Sequence, residues 1–141
     1  MPTKTSVLQK IAWFYAANFL AIVAISHWPG LTDSQGRLMG LFVIDPIDDI
    51  FHLVSGVLAV VVALKSRAWS LTYFKLAGIP YAIDAVTGLF LGVEFLNGDI
   101  FRGGDLHRPA WTLHLLLNNT PHIVIPASMA WVAFWLAKRV R

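Results

Sequence analysis

The chain contains no cysteine, which excludes disulfides, iron–sulfur ligation and thiol catalysis. Charge is also scarce. Asp, Glu, Lys and Arg make up 13% of 141 residues, against about 25% in a typical soluble domain. That is too little to cover a water-facing surface. The glycine loops that cradle phosphates or dinucleotides are missing, as is the Gly-x-Ser-x-Gly turn of hydrolases. There is no His-x-x-x-His, no Cys pair and no Glu-x-x-His. No arginine lies inside an apolar run, which argues against a voltage sensor. No soluble domain is left to house substrate chemistry, so no catalytic residues are expected.

Hydrocarbon is what the chain has in quantity: 57% hydrophobic residues and a mean hydropathy of +0.63. Four apolar stretches lie near 11–29, 46–64, 71–96 and 121–137. Each can cross a bilayer as a helix. The length suits one domain, 1–141. The expected fold is therefore an all-α membrane protein, a four-transmembrane-helix bundle.

Charge sets the expected topology. Lys4, Lys10, Lys65, Arg67, Lys75, Lys138, Arg139 and Arg141 fall on one side of the four spans, with no acid. The other side holds seven of the eight acids, three basic residues and all five histidines. Basic residues collect in cytoplasmic segments, so both termini are expected in the cytoplasm of a multi-pass protein of the bacterial inner membrane. The net charge of +3 reflects these flanks and contacts to anionic lipid headgroups, so no nucleic-acid partner is expected. Lys4 and Lys10 before Ile11–Ile25, with Ala24-Ile25-Ser26 behind them, loosely resemble a signal peptide. The segment is read as a retained transmembrane helix.

Local signals place the ends of the spans. Span one runs from Ile11 to Trp28, stopped by Pro29-Gly30. Asp45 and Pro46 start span two, with Asp48 in its first turn. Ser70 is the expected cap of span three, which carries Pro80 and Asp84. Thr120-Pro121 repeats the cap-then-proline signal for span four. The nine apolar residues Pro109–Leu117 are expected either in the interface or as an extension of that span. Trp28, Trp111 and Trp135 fall where an aromatic belt would put them. Small residues recur four apart: Ala17 and Ala21; Ser55, Ala59 and Ala63; Gly88 and Gly92; Ala133 and Ala137. Such rows let helices approach closely, within the bundle or against another subunit.

A short motif repeats. Asp48-Asp49-Ile50-Phe51-His52 and Asn118-Asn119-Thr120-Pro121-His122 both read [DN]-[DN]-x-x-His, seventy residues apart. A parallel two-helix repeat would bring His52 and His122 together. Facing imidazoles could ligate haem or (bacterio)chlorophyll; with Asp48 and His114 they could bind zinc, copper or iron. They can equally be interfacial capping residues or handle protons. Asp84 is the one acid away from the loops. An ionised carboxylate at bilayer depth costs about 2.5–3.5 kcal/mol on insertion scales, so it should face the bundle interior. Asn18, Tyr81, Thr87 and His122 are candidate partners.

The stretch Asp48–Gly56, DDIFHLVSG, resembles a motif in a family of small bacterial four-helix membrane proteins whose domain has no assigned function. The likeness covers residues 10–137 and is sharpest at His52, Leu53 and Gly56; Pro126 stands where a second glycine is expected. It implies the architecture and no activity. The expected role is a non-catalytic accessory subunit, packed against other subunits of a larger respiratory or photosynthetic membrane complex. The alternatives are a haem-, pigment- or metal-binding redox protein using His52 and His122, and a small proton-linked transporter using Asp84.

Overall fold

A computed structural model describes residues 5–140. Lys4 and Arg141, two of the basic residues above, lie outside the described residues. Four helices carry the fold: α1 Val7–Ser26, α2 Pro46–Lys65, α3 Arg67–Leu91 and α4 Leu113–Phe134. Each is long and apolar enough to cross a membrane, and the chain is a multi-pass membrane protein. α1 packs on α2 and α3 packs on α4, with α2 and α1 joined to α3. The bundle is thus two helical hairpins side by side. Its outside is apolar: Val54, Val57, Leu58, Val61 and Leu64 of α2 are all exposed, as hydrocarbon solvent requires.

Helix starts follow side-chain chemistry. Ser6 and Gln9 form a capping box on α1, and Asp45 caps α2 with Pro46 in the first turn. Two expected caps move. Ser66, not Ser70, caps α3, so a single residue joins α2 to α3. Ser70 is instead buried inside α3 and donates to the carbonyls of Val62 and Ser66. Thr112, not Thr120, caps α4. α4 runs on through Pro121 and Pro126, which makes most of the short apolar run before it an extension of the span. Thr120 and Asn119 donate from their side chains to the carbonyls four residues back.

The core is aromatic and hydrogen-bonded. Phe19 of α1 stacks on Tyr81 of α3 at 5.4 Å, and Tyr15 meets Phe74 at 5.3 Å. The Tyr81 hydroxyl donates to Ser55 Oγ (2.9 Å), and Tyr73 donates to the Ser55 carbonyl (3.1 Å). Small residues seat the helices. Ser55, Ala59 and Ala63 are buried, as are Ala133 and Ala137. A side chain at Gly56 would meet Phe19 and Leu20, and one at Gly88 would run into Asn119 of α4. In α1 the expected row is displaced by one residue: Ala12 and Ala16 are buried, while Ala17 and Ala21 face outward. Gly92 lies beyond its helix and ends α3 at φ 67°.

The two ends of the bundle differ. At the basic end Gln9 donates to the Ala63 carbonyl (2.8 Å), and Arg67 donates to those of Ala137 and Val140 (2.7 and 3.0 Å). At the acidic end two longer segments cover the helices. One contains a small hairpin, Arg37–Leu38 paired with Phe42–Val43. Asp33 organises it, accepting from the N–H groups of Gln35 and Arg37 and from the Arg37 side chain. Those donors hold the Asp33 carboxyl below the usual carboxylate range, the Arg37 N–H first among them. The other segment folds back so that Val93, Leu96 and Asn97 are buried.

Candidate functional site: a buried Asp–His pair under a polar cavity

Asp84 lies five turns along α3 and is 1% exposed. Its two oxygens have separate tasks. Oδ1 accepts from the backbone N–H groups of Phe95 and Leu96 (2.7 and 2.6 Å), which ties the fold-back segment to the bundle. Oδ2 contacts Nδ1 of His122 on α4 at 2.5 Å, and neither atom has another hydrogen-bonding partner. A carboxylate against an imidazole can hold one proton between them and exchange it through the free ring nitrogen. Of the four expected partners of Asp84, His122 makes the contact. Thr87 donates to the Asp84 carbonyl (3.1 Å), Tyr81 is engaged with Ser55, and Asn18 faces outward, bonded to the Phe14 carbonyl (2.7 Å).

Above the pair lies a cavity of about 200 Å³. Asp48 and His52 of α2, Glu94, and Asn118 and His122 of α4 line its polar wall. Phe42, Val43 and Ile44 of the hairpin roof it, with Ile22 of α1 and Pro121 opposite. Among the described residues no lysine or arginine lines it. His52 is 5% exposed, wedged between the rings of Phe19 and Tyr81 (5.7 and 5.8 Å). Its Nδ1 lies 3.0 Å from the Asp48 carbonyl. A carbonyl only accepts, so Nδ1 carries the proton and Nε2 the lone pair. Asp48 Oδ2 is 3.5 Å from the same ring, and Asp48 Oδ1 and Asn118 Oδ1 are buried without a partner.

Glu94 sits on the fold-back segment at the cavity's edge, bonded to Asn97 (2.9 Å). The residue is exposed to solvent. Even so, the protein crowded around it pushes its carboxyl up to about 7, and the Asp84 charge adds to the effect. The rim is clasped across loops. His27 Nε2 meets Asp49 Oδ2 at 2.8 Å. Arg102 donates to the Asn97 carbonyl (2.6 Å) and to Asp99, and lies 3.8 Å from Asp45. His107 lies against Gly92, leaving no room there for a side chain.

The sequence profile of DUF4383, a domain of unknown function, matches residues 9–125. The chain belongs to the DUF4383 family. The matched region holds every residue of the cavity and the Asp84–His122 pair. No curated protein and no solved structure matches the chain. The structure also gives the DDIFHLVSG stretch a physical reading: His52 lines the cavity, and Gly56, one turn on, admits α1.

Most of the site residues expected from sequence converge here. Asp48, His52 and His122 share one cavity with Asp84 beneath. His114 does not join them; it is exposed, 3.4 Å from Asn118 Nδ2. Among the described residues no three His, Asp or Glu side chains are disposed to hold a metal ion. The two motif copies contribute equivalent pairs, Asp48 with His52 and Asn118 with His122, all four lining the cavity. They sit at different distances from their helix starts: His52 is the seventh residue of α2 and His122 the tenth of α4. Glu94 and the hairpin roof were not anticipated. Glu94 falls near the end of the apolar stretch 71–96, and no short motif marks a loop that folds back onto a buried carboxylate.

Proposed function

We propose that this DUF4383 protein is a small proton-linked carrier for an organic cation. The Asp84–His122 pair is the protonation site and the cavity above it the substrate site. One observation carries this reading: the shortest carboxylate–imidazole contact among the described residues, Asp84–His122, holds an imidazole that lines a cavity with several acids and, among the described residues, no lysine or arginine. Intramembrane acids mark proton and ion paths, and an acid-lined cavity favours cations. Asp48 and His52 on α2 and Glu94 on the loop line the same cavity as His122; Asp45 and Asp49 line it too, Asp49 meeting His27 at 2.8 Å and Asp45 lying 3.8 Å from Arg102. A bound cation and a bound proton would compete for the same negative charge, which is the coupling an exchanger needs. The basic flanks support a bacterial cytoplasmic membrane as its site, with both termini on the cytoplasmic side.

The test uses the full chain in liposomes enclosing a pH-sensitive dye. A tetramethylammonium gradient should drive proton movement in the wild type and not in Asp84→Asn or His122→Gln. Asparagine keeps an oxygen for the Phe95 and Leu96 N–H groups, so the loop stays pinned. Equal proton movement in wild type and Asp84→Asn would sink the reading.

A second reading rests on α1. Ala17, Asn18 and Ala21 are exposed at membrane depth, where a polar amide and small residues suit contact with another helix. It makes the chain an accessory subunit of a larger membrane complex. Co-purification of a stoichiometric membrane partner, lost in Asn18→Leu, would support it; recovery of the chain alone would count against it.

A further inference from the structure

A second opening lies beside the cavity. α1 and α4 are the outer helices of the two hairpins and touch little. Between them runs a groove of about 310 Å³, walled by Phe14, Phe19 and Ile22 on one side and Val124 and Ile125 on the other. Its floor is closed by Tyr15 and Ser128, whose hydroxyls lie 2.5 Å apart, the one hydrogen bond linking α1 to α4 among the described residues. From Tyr15 to Ile22 it is about 10 Å long. Its walls belong to two membrane-spanning helices, so it opens sideways into hydrocarbon.

The groove adjoins the cavity: Ile22 and Pro121 line both. A passage between them would lead from the lipid-facing seam, past those two residues, to the acids and imidazoles. Its lower part is apolar and fits one chain. Its upper part presents Asp48, Asp49 and Glu94, the His52 ring with Nε2 unpartnered, and no basic residue. A phosphate or sulfate head would meet four acids there and, among the described residues, no lysine or arginine to neutralise it. The occupant that matches both halves has a cationic head on a single alkyl tail.

We infer that the passage binds a single-chain cationic amphiphile, with its head in the acidic cavity and its tail in the α1–α4 groove, entering from the bilayer. This deepens the carrier reading by naming the substrate class and route, and only its transport step rests on that reading. The head would sit where it can compete with the Asp84–His122 proton. The tail would replace lipid contacts along Phe14–Ile22.

Photolabelling tests binding separately from flux. The full chain in nanodiscs is irradiated with an alkyltrimethylammonium carrying a diazirine on its tail, and adducts are mapped by mass spectrometry. Adducts should concentrate on 14–22 and 121–128. Dodecyltrimethylammonium should compete, tetramethylammonium (head alone) should compete only at far higher concentration, and dodecyl sulfate (same tail, opposite head) should not. Val124→Trp, at a lipid-exposed position, should block the groove and abolish the adducts. The double change Asp48→Asn with Asp49→Asn should weaken competition at least about tenfold, about 1.4 kcal/mol. Equal competition by dodecyl sulfate would mean a charge-blind lipid crevice and overturn the inference. Adducts spread evenly over all four helices would do the same. Cation-selective labelling without coupled proton flux would keep this inference and remove the carrier reading. Flux driven by tetramethylammonium without labelling would do the reverse.

Discussion

The basic end of the bundle is closed and the acidic end is hollow. At the basic end a single residue, Ser66, joins α2 to α3, and Gln9 and Arg67 donate to carbonyls at the ends of α2 and α4. Ala59, Ala63, Ala133 and Ala137 let the helices close. The acidic end spends its longer connections on a roof and a fold-back loop. Beneath them it buries a carboxylate, two imidazoles and several partnerless oxygens. Buried polar groups cost stability unless fully paired. An end that leaves Asp48 Oδ1 and Asn118 Oδ1 open is arranged around something other than stability, and the closed end supplies the rigidity.

The sharpest way to break the contrast is to remove Asp84. In Asp84→Ala the His122 ring and the Phe95 and Leu96 N–H groups all lose their partner at once. Removing one member of a buried pair costs about 3–5 kcal/mol. Unfolding in detergent micelles should show that loss, with early protease cleavage in 92–98. Asp84→Asn should be much milder. A loss under about 1 kcal/mol in Asp84→Ala, the net value of an ordinary hydrogen bond, would mean that the loop is held by its own packing.

The counterpart at the closed end is Arg67→Ala. It takes the charged donor away from the Ala137 and Val140 carbonyls, and hydrogen bonds to charged groups contribute about 1.5–3 kcal/mol. Stability should drop by that amount while dye-reported proton movement per folded molecule stays at the wild-type level. A variant that folds normally yet loses proton movement would show that the two ends are not separable.

The same contrast separates what the sequence revealed from what it hid. The closed end was legible, because charge partition and hydrophobic length are one-dimensional properties. Four spans and the basic flank followed from them. Caps were less secure. Ser66 and Ser70 are equally good cap residues, and the choice depends on which serine the tertiary contacts bury. Thr120-Pro121 carries a start signal, yet the cap lies eight residues earlier, at Thr112, and α4 runs through both prolines. At the hollow end residue types were readable and distances were not. The shared [DN]-x-x-x-His spacing put Asp48, His52, Asn118 and His122 on matching helix faces. That His122 would be the partner Asp84 touches depended on how deep α4 enters. Glu94 joined the site through a backbone fold-back that leaves no side-chain pattern.

The smallest expected effect sharpens the comparison through pH. Burial raises the Glu94 carboxyl from its ordinary value to about 7. Its ionised form is thus less favourable in the fold than in the unfolded chain. For a group shifted upward, the contribution to stability is complete below the ordinary carboxylate range and is lost as pH rises through the shifted value. Between about pH 5 and about pH 8 the wild type should therefore lose stability that Glu94→Gln, which cannot ionise, retains. The size is modest, because the residue is exposed to solvent. Arg67→Ala should keep the wild-type slope, since no titrating group of the cavity lies at its end. Parallel profiles for wild type and Glu94→Gln would place Glu94 outside the cavity's electrostatics and leave Asp48, His52 and the Asp84–His122 pair as its whole charge.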